Sequence, residues 1–169
     1  MSEIIGKISS YNIFNFLFPG IIFCSLIKEF TSFSLPEYGI LENIFIYYFC
    51  GLCISRFGSI AIEPILKKIK FIKFSQYEDY IEASENNATI KILLEVANTY
   101  RTILAVFIIF IIVKIYEPLK NLCSFFEYAG YVIIFLSLIT IFLYSYKKQI
   151  NFIVKRIDKY KKDKQNGNS

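Results

Sequence analysis

The chain has 169 residues, of which 55% are hydrophobic and 18% aromatic, with a formal net charge of +5 and a mean hydropathy of +0.47; it is too apolar for a soluble globule with an ordinary surface. It holds no histidine, which excludes Ser-His-Asp and Cys-His catalysis, histidine nucleases and His-dependent zinc sites. Its seven glycines are isolated from one another, so neither a phosphate-binding loop nor a dinucleotide fingerprint can be assembled from them.

Four apolar blocks separated by charged stretches predict an all-α integral membrane protein with four transmembrane helices. The first span covers residues 11–27. It carries Asn12 and Asn15 on one face together with Pro19, and the Pro19-Gly20 pair is expected to kink it. Interhelical hydrogen bonding is the expected role of the two asparagines. The same polar groups leave a re-entrant first segment as the alternative topology. Lys28-Glu29 closes this helix, and without a strongly basic start or a small-residue cleavage pattern the N-terminus does not read as a cleavable signal.

The second span covers residues 44–66 and carries the most unusual constellation in the chain. Arg56 precedes Lys67 by about 16 Å of helix, inside the apolar block, where an arginine costs at least about 2.5 kcal/mol unless paired or wet. Ser59 and Glu63 follow at helical spacing, so that Arg56, Ser59 and Glu63 form one polar seam. The seam reads either as a face toward a neighbouring helix or a water-filled axis, or as an Arg56 that snorkels to the interface above a Glu63 serving nearby lysines. Beside it, Gly51, Ser55 and Gly58 form a stripe small enough to admit another helix. Pro64 is expected to bend or end the helix.

Beyond it, Lys67, Lys68, Lys70 and Lys73 alternate with apolar residues, the pattern of a basic stretch along anionic headgroups. Ser75 and Glu78 match a capping box, which predicts a short helix over 76–84 with an acidic side, broken at Asn86-Asn87. From Thr89 the apolar positions recur at helical spacing into the third span, 102–116, giving one helix about 42 Å long over 89–116. Residues 75–101 thus read as a small cytoplasmic helical hairpin between spans two and three.

The fourth span covers 128–146, an unbroken apolar run with tyrosines at both ends. A basic tail over 147–169 begins helically and then turns polar. All but three of the 19 basic residues (Lys28, Lys114 and Lys120) fall on one side of this topology, which by the positive-inside rule puts both termini in the cytoplasm of a cell membrane. Lys114 lies near enough to the outer surface to snorkel.

Cys50-x-x-Cys53 has redox spacing, but inside an apolar helix it reads as a pair of inert thiols. Cys24 and Cys123 both lie toward the outer side, where a disulfide between them can be drawn. No cofactor or metal is expected.

Taken together, these features predict a small membrane protein without a catalytic centre. The leading expectation is an oligomeric pore or membrane effector, regulated through its hairpin by a cytoplasmic protein partner. The alternatives are a non-conducting anchor or scaffold that recruits such a partner, or a small transporter subunit. Membrane lipids and further copies of the chain are the expected partners, and nucleic acid is not.

Overall fold

The computed structural model describes residues 13–34, 39–120 and 124–166, and every regular element in them is helical. A wide π-helical turn, Ile13–Leu17, leads into α1, Phe18–Phe30. Helix α2, Ile40–Phe57, passes through a second π-helical turn, Gly58–Ile62, into α3, Glu63–Lys68. Helix α4 is Tyr77–Asn86, α5 is Ala88–Lys120 and α6 is Ser124–Asn166.

Three helical stretches are long and apolar enough to cross a membrane: Ile40–Lys68, Ala88–Leu119 and Val132–Lys161. Helix α1 is not among them. Its 13 residues and the five of the π-helical turn before it rise at most about 27 Å, at the short end of what crosses a hydrocarbon layer of about 30 Å. Where a first span over 11–27 was expected, the described residues give a helical stretch over 13–30 packed against α2; Asn12 lies outside them.

Both π-helical turns end two residues before a proline, Pro19 in one case and Pro64 in the other. A proline ring collides with the carbonyl four residues back and offers no N–H to it. Widening the preceding turn relieves both problems, so Pro64 does not end the helix as expected. The chain continues helically to Lys68, where it stops in a Schellman arrangement: the Lys70 N–H donates to the Lys67 carbonyl at 3.0 Å and the Phe71 N–H to the Leu66 carbonyl at 2.9 Å. Lys70 takes the left-handed conformation that this cap requires, with φ 60°. That conformation costs a residue with a Cβ about 1 kcal/mol. Lys70→Gly is therefore expected to raise the thermal midpoint in detergent by a degree or more, and a lowered midpoint would refute this account of the cap.

Helix α1 and the turn before it approach α2 closely. A Cβ built on Gly20 would overlap the Tyr47 carbonyl, and one built on Gly51 would overlap the Phe16 carbonyl, so backbone lies directly on backbone. Helix α5 packs across both through a core of Ile54, Ile62, Ala105 and Val106. At the far end of the bundle, the Lys114 ammonium donates to the Phe30 carbonyl at 2.8 Å and to Glu117 at 2.6 Å, while Glu117 accepts the Ser32 N–H at 2.5 Å. Lys114 is thus held by the end of α1 as well as lying near a surface.

Helix α4 begins at Tyr77 with Gln76 as its N-cap and no side-chain cap bond. The expected Ser75–Glu78 capping box is not formed, because the helix starts one residue too late for Ser75 to cap it. Asn87 breaks the chain where expected, and its side chain also accepts the Thr89 N–H at 3.0 Å, so one residue ends α4 and caps α5.

Helix α6 runs through the span and the tail as one element of 43 residues, about 64 Å long. The tail was expected to leave the helix early, yet it continues to Asn166. No glycine or proline interrupts it after Gly130 before Gly167, and α4 holds it. The Tyr77 and Phe152 rings stack with centroids 5.1 Å apart. Arg156 pairs with Glu85 at 3.3 Å and Lys159 with Glu82 at 3.7 Å. The apolar window of α6 itself is 0% buried, with side chains such as Phe135 and Leu143 facing outward.

Candidate functional site

Two polar layers lie one above the other where α2, α5 and α6 meet. The inner layer joins three helical segments. Asn15 is 2% exposed, Ser55 4% and Thr102 0%. The Asn15 amide donates to Ser55 Oγ at 3.3 Å, and Thr102 Oγ1 lies 3.1 Å from both Ser55 Oγ and Asn15 Oδ1. Each hydroxyl has one proton to give. Ser55 donating to Thr102, and Thr102 to Asn15, closes the ring with every group satisfied; the Asn98 carbonyl, 2.8 Å from Thr102 Oγ1, is a second acceptor for Thr102. Such a ring fixes the register of three segments at once.

The outer layer is centred on Glu63, whose side chain is 10% exposed. Arg101 reaches its Oε2 at 2.6 Å, Lys67 its Oε1 at 2.9 Å and Lys148 the same oxygen at 3.4 Å. The Lys148 ammonium also donates to the Ser59 hydroxyl at 2.7 Å and to the Ser59 carbonyl at 3.0 Å. One carboxylate therefore ties α3 to α5 and α6. Gly58 lies beside the α5 connection, with the Arg101 stem and the Ala105 methyl at an ordinary contact distance of 3.4 Å from where its Cβ would stand.

A cavity of about 1230 Å³ opens beside this layer, between α4 and the bundle. Six cations line it (Arg56, Lys67, Lys73, Arg101, Lys148 and Lys155) against three carboxylates, Glu63, Glu78 and Asp79. Phe16, Phe74 and Phe152 supply apolar wall, and Lys67 stands 4.1 Å above the Phe74 ring. In α4, burial pushes the Tyr80 phenol above its ordinary range, so it stays neutral.

The residues singled out in the sequence fall as follows. Ser59 and Glu63 are buried together at the shared Lys148. Arg56 lines the same cavity but does not pair with Glu63. The π-helical turn between them inserts an extra residue per turn and rotates the face that carries Glu63 away from Arg56. The small-residue stripe is divided between two neighbours, Gly51 against α1 and Gly58 against α5, with Ser55 in the hydrogen-bonded ring. Lys67, Lys68, Lys70 and Lys73 are all exposed, and Lys67 and Lys73 also line the cavity.

Thr102, Arg101 and Lys148 were not singled out in the sequence. Glu63 is the only carboxylate between Glu42 and Glu78, a charge imbalance that signals partners from elsewhere in the chain. The described cysteines, Cys24, Cys50 and Cys53, are free. The thiols of Cys24 and Cys50 lie within hydrogen-bonding reach of each other across α1 and α2, and Cys123 lies outside the described residues. Mild oxidation of the protein in nanodiscs is expected to join Cys24 to Cys50. Peptide mapping that finds neither this bond nor its reduction by dithiothreitol would contradict the α1–α2 packing.

No protein-family model, curated protein or solved structure matches the chain. Its function is therefore argued from the chemistry of the two layers and the cavity.

Proposed function

We infer that the chain is a non-catalytic, multi-pass membrane anchor that presents α4, the start of α5 and the extension of α6 as one platform on the cytoplasmic side. The observation that carries this reading is that the inner ring and the Glu63 cluster find their partners within a single chain. A buried polar group needs a partner or water; here the partners are intramolecular, and no water-filled axis between subunits is required. The platform is a continuation of two apolar helices, and α4 is joined to the extension of α6 by the Tyr77–Phe152 stack and the Arg156–Glu85 and Lys159–Glu82 pairs. In this reading the helical stretch from Ile13 through α1 crosses as a fourth, short span, residues 75–101 form the cytoplasmic hairpin, and both termini are cytoplasmic.

The test is native mass in neutral nanodiscs combined with planar-bilayer recording. A protein without discrete conductance, whose mass is unchanged by Arg56→Ala, is the expected result. Conductance steps abolished by Arg56→Ala would replace this reading with the oligomeric pore. One observation favours that second reading: the 30-residue stretch Val132–Lys161 contains an apolar window that is 0% buried, a face that lipid or another copy can cover.

A further inference from the structure

The cavity beside Glu63 carries more positive charge than the chain neutralises. Arg101, Lys67 and Lys148 bear on a single carboxylate, and Arg56 in the same wall forms no hydrogen bond or ion pair among the described residues. Excess cations beside an apolar bundle are costly, and a buried donor without an acceptor costs the full desolvation of that donor. Two such groups are present: Arg101 Nε and Ser145 Oγ are both buried without a hydrogen-bond partner. Both residues line this cavity, alongside Arg56 and Lys148.

These four groups share one chemical preference. Arg101 commits Nη1 to Glu63, which leaves the Nε edge of its planar fork, the edge that matches two oxygens of one oxyanion. Ser145 can add a hydroxyl donor, and Arg56 and Lys148 add charge. A monocarboxylate would leave much of the excess uncompensated, whereas a phosphate group brings up to two negative charges and three acceptor oxygens. We propose that this cavity binds a phosphate-bearing ligand, with Arg56 as its open donor, the buried Arg101 Nε and Ser145 hydroxyl turning toward it on binding, and Lys148, whose three protons are already given to Ser59 and Glu63, adding charge. The proposal holds whether the protein anchors a partner or conducts. The phosphate can belong to a lipid headgroup, with Phe16 and Phe152 against its apolar part, or to a soluble molecule.

The full chain in phosphatidylcholine nanodiscs is titrated with inorganic phosphate at constant ionic strength, following the unfolding midpoint. In parallel, protein from vesicles of phosphatidylcholine and phosphatidic acid is weighed by native mass spectrometry for retained lipid. Phosphate stabilisation alone identifies a soluble phosphate ligand, selective retention of phosphatidic acid alone identifies a lipid headgroup, and both together support the shared chemistry. Arg56→Gln is expected to weaken the response about tenfold and Ser145→Ala about threefold. Lys91→Gln, exposed and outside the cavity, should leave it unchanged. The absence of both responses in the wild type would overturn the proposal. So would a response untouched by both cavity variants, or one lost equally in Lys91→Gln, which would mark general surface electrostatics.

Discussion

Glu63→Gln is expected to destabilise the folded protein by about 3 kcal/mol, a large fraction of what holds a small domain together. The carboxylate is nearly buried and is the shared acceptor for Arg101, Lys67 and Lys148, whose side chains are 19%, 44% and 32% exposed. Removing its charge leaves three cations facing one another. Lys67 and Lys148 can partly turn to water, which keeps the cost at the low end for a broken buried pair. The double variant Glu63→Gln/Lys148→Met removes one of the repelling cations. It should recover at least about 1 kcal/mol relative to additivity, whereas Arg56→Gln without phosphate should cost less than about 0.5 kcal/mol because the Arg56 side chain has no ion pair to lose among the described residues. Reversible unfolding in mixed detergent measures all three. Equal effects of Glu63→Gln and Arg56→Gln would mean that the seam acts as one unit and that the Glu63 cluster is not its centre.

The contrast between Arg56 and Glu63 shows where the sequence could be read and where it could not. Helical periodicity and apolar run length are local; they placed long helices over the three apolar stretches, with ends off by four residues or more in places, and the break at Asn87 within a residue. Polarity out of context is local as well, which is why Asn15, Ser55, Ser59 and Glu63 stood out before any partner was known. What the local pattern cannot supply is the identity of the partners. Thr102 sits at the edge of an apolar run and Lys148 in a cluster of juxtamembrane lysines, positions where both residues are commonplace. Only the arrangement of α5 and α6 around α2 makes them members of the two layers.

The helix geometry was misread for an equally specific reason. A regular 100° rotation per residue places Arg56, Ser59 and Glu63 on one stripe, and proline was treated as a bend or a stop. The chain instead widens a turn ahead of Pro19 and again ahead of Pro64, which preserves the helix and changes the face it presents. The full length of α6 was missed because the end of its tail, from Asp158 on, is almost entirely polar. Such a helix is poorly stable alone, and its pairing with Glu82, Glu85 and Tyr77 is tertiary.

Gly51→Ala is expected to cost at least about 2 to 3 kcal/mol, because the added methyl would meet backbone rather than a side chain that can turn aside. The same holds for Gly20→Ala from the opposite helix, against the Tyr47 carbonyl. Gly58 supplies the control. A methyl there stands 3.4 Å from Arg101 and Ala105, an ordinary contact, and alanine has the better helix propensity by about 1 kcal/mol, so Gly58→Ala should be neutral or mildly stabilising. Oxidation of Cys24 and Cys50 separates local packing from global loss. If α1 is displaced from α2, bond formation should fall sharply in Gly51→Ala while remaining at the wild-type level in Gly58→Ala. The inner ring should loosen with it, because Asn15 is carried by the turn that enters α1 and reaches Ser55 and Thr102 only while Phe16 lies against Gly51. A Gly51→Ala protein that keeps its stability and its bond formation would show that the helices can separate without loss, and that the ring does not depend on their contact.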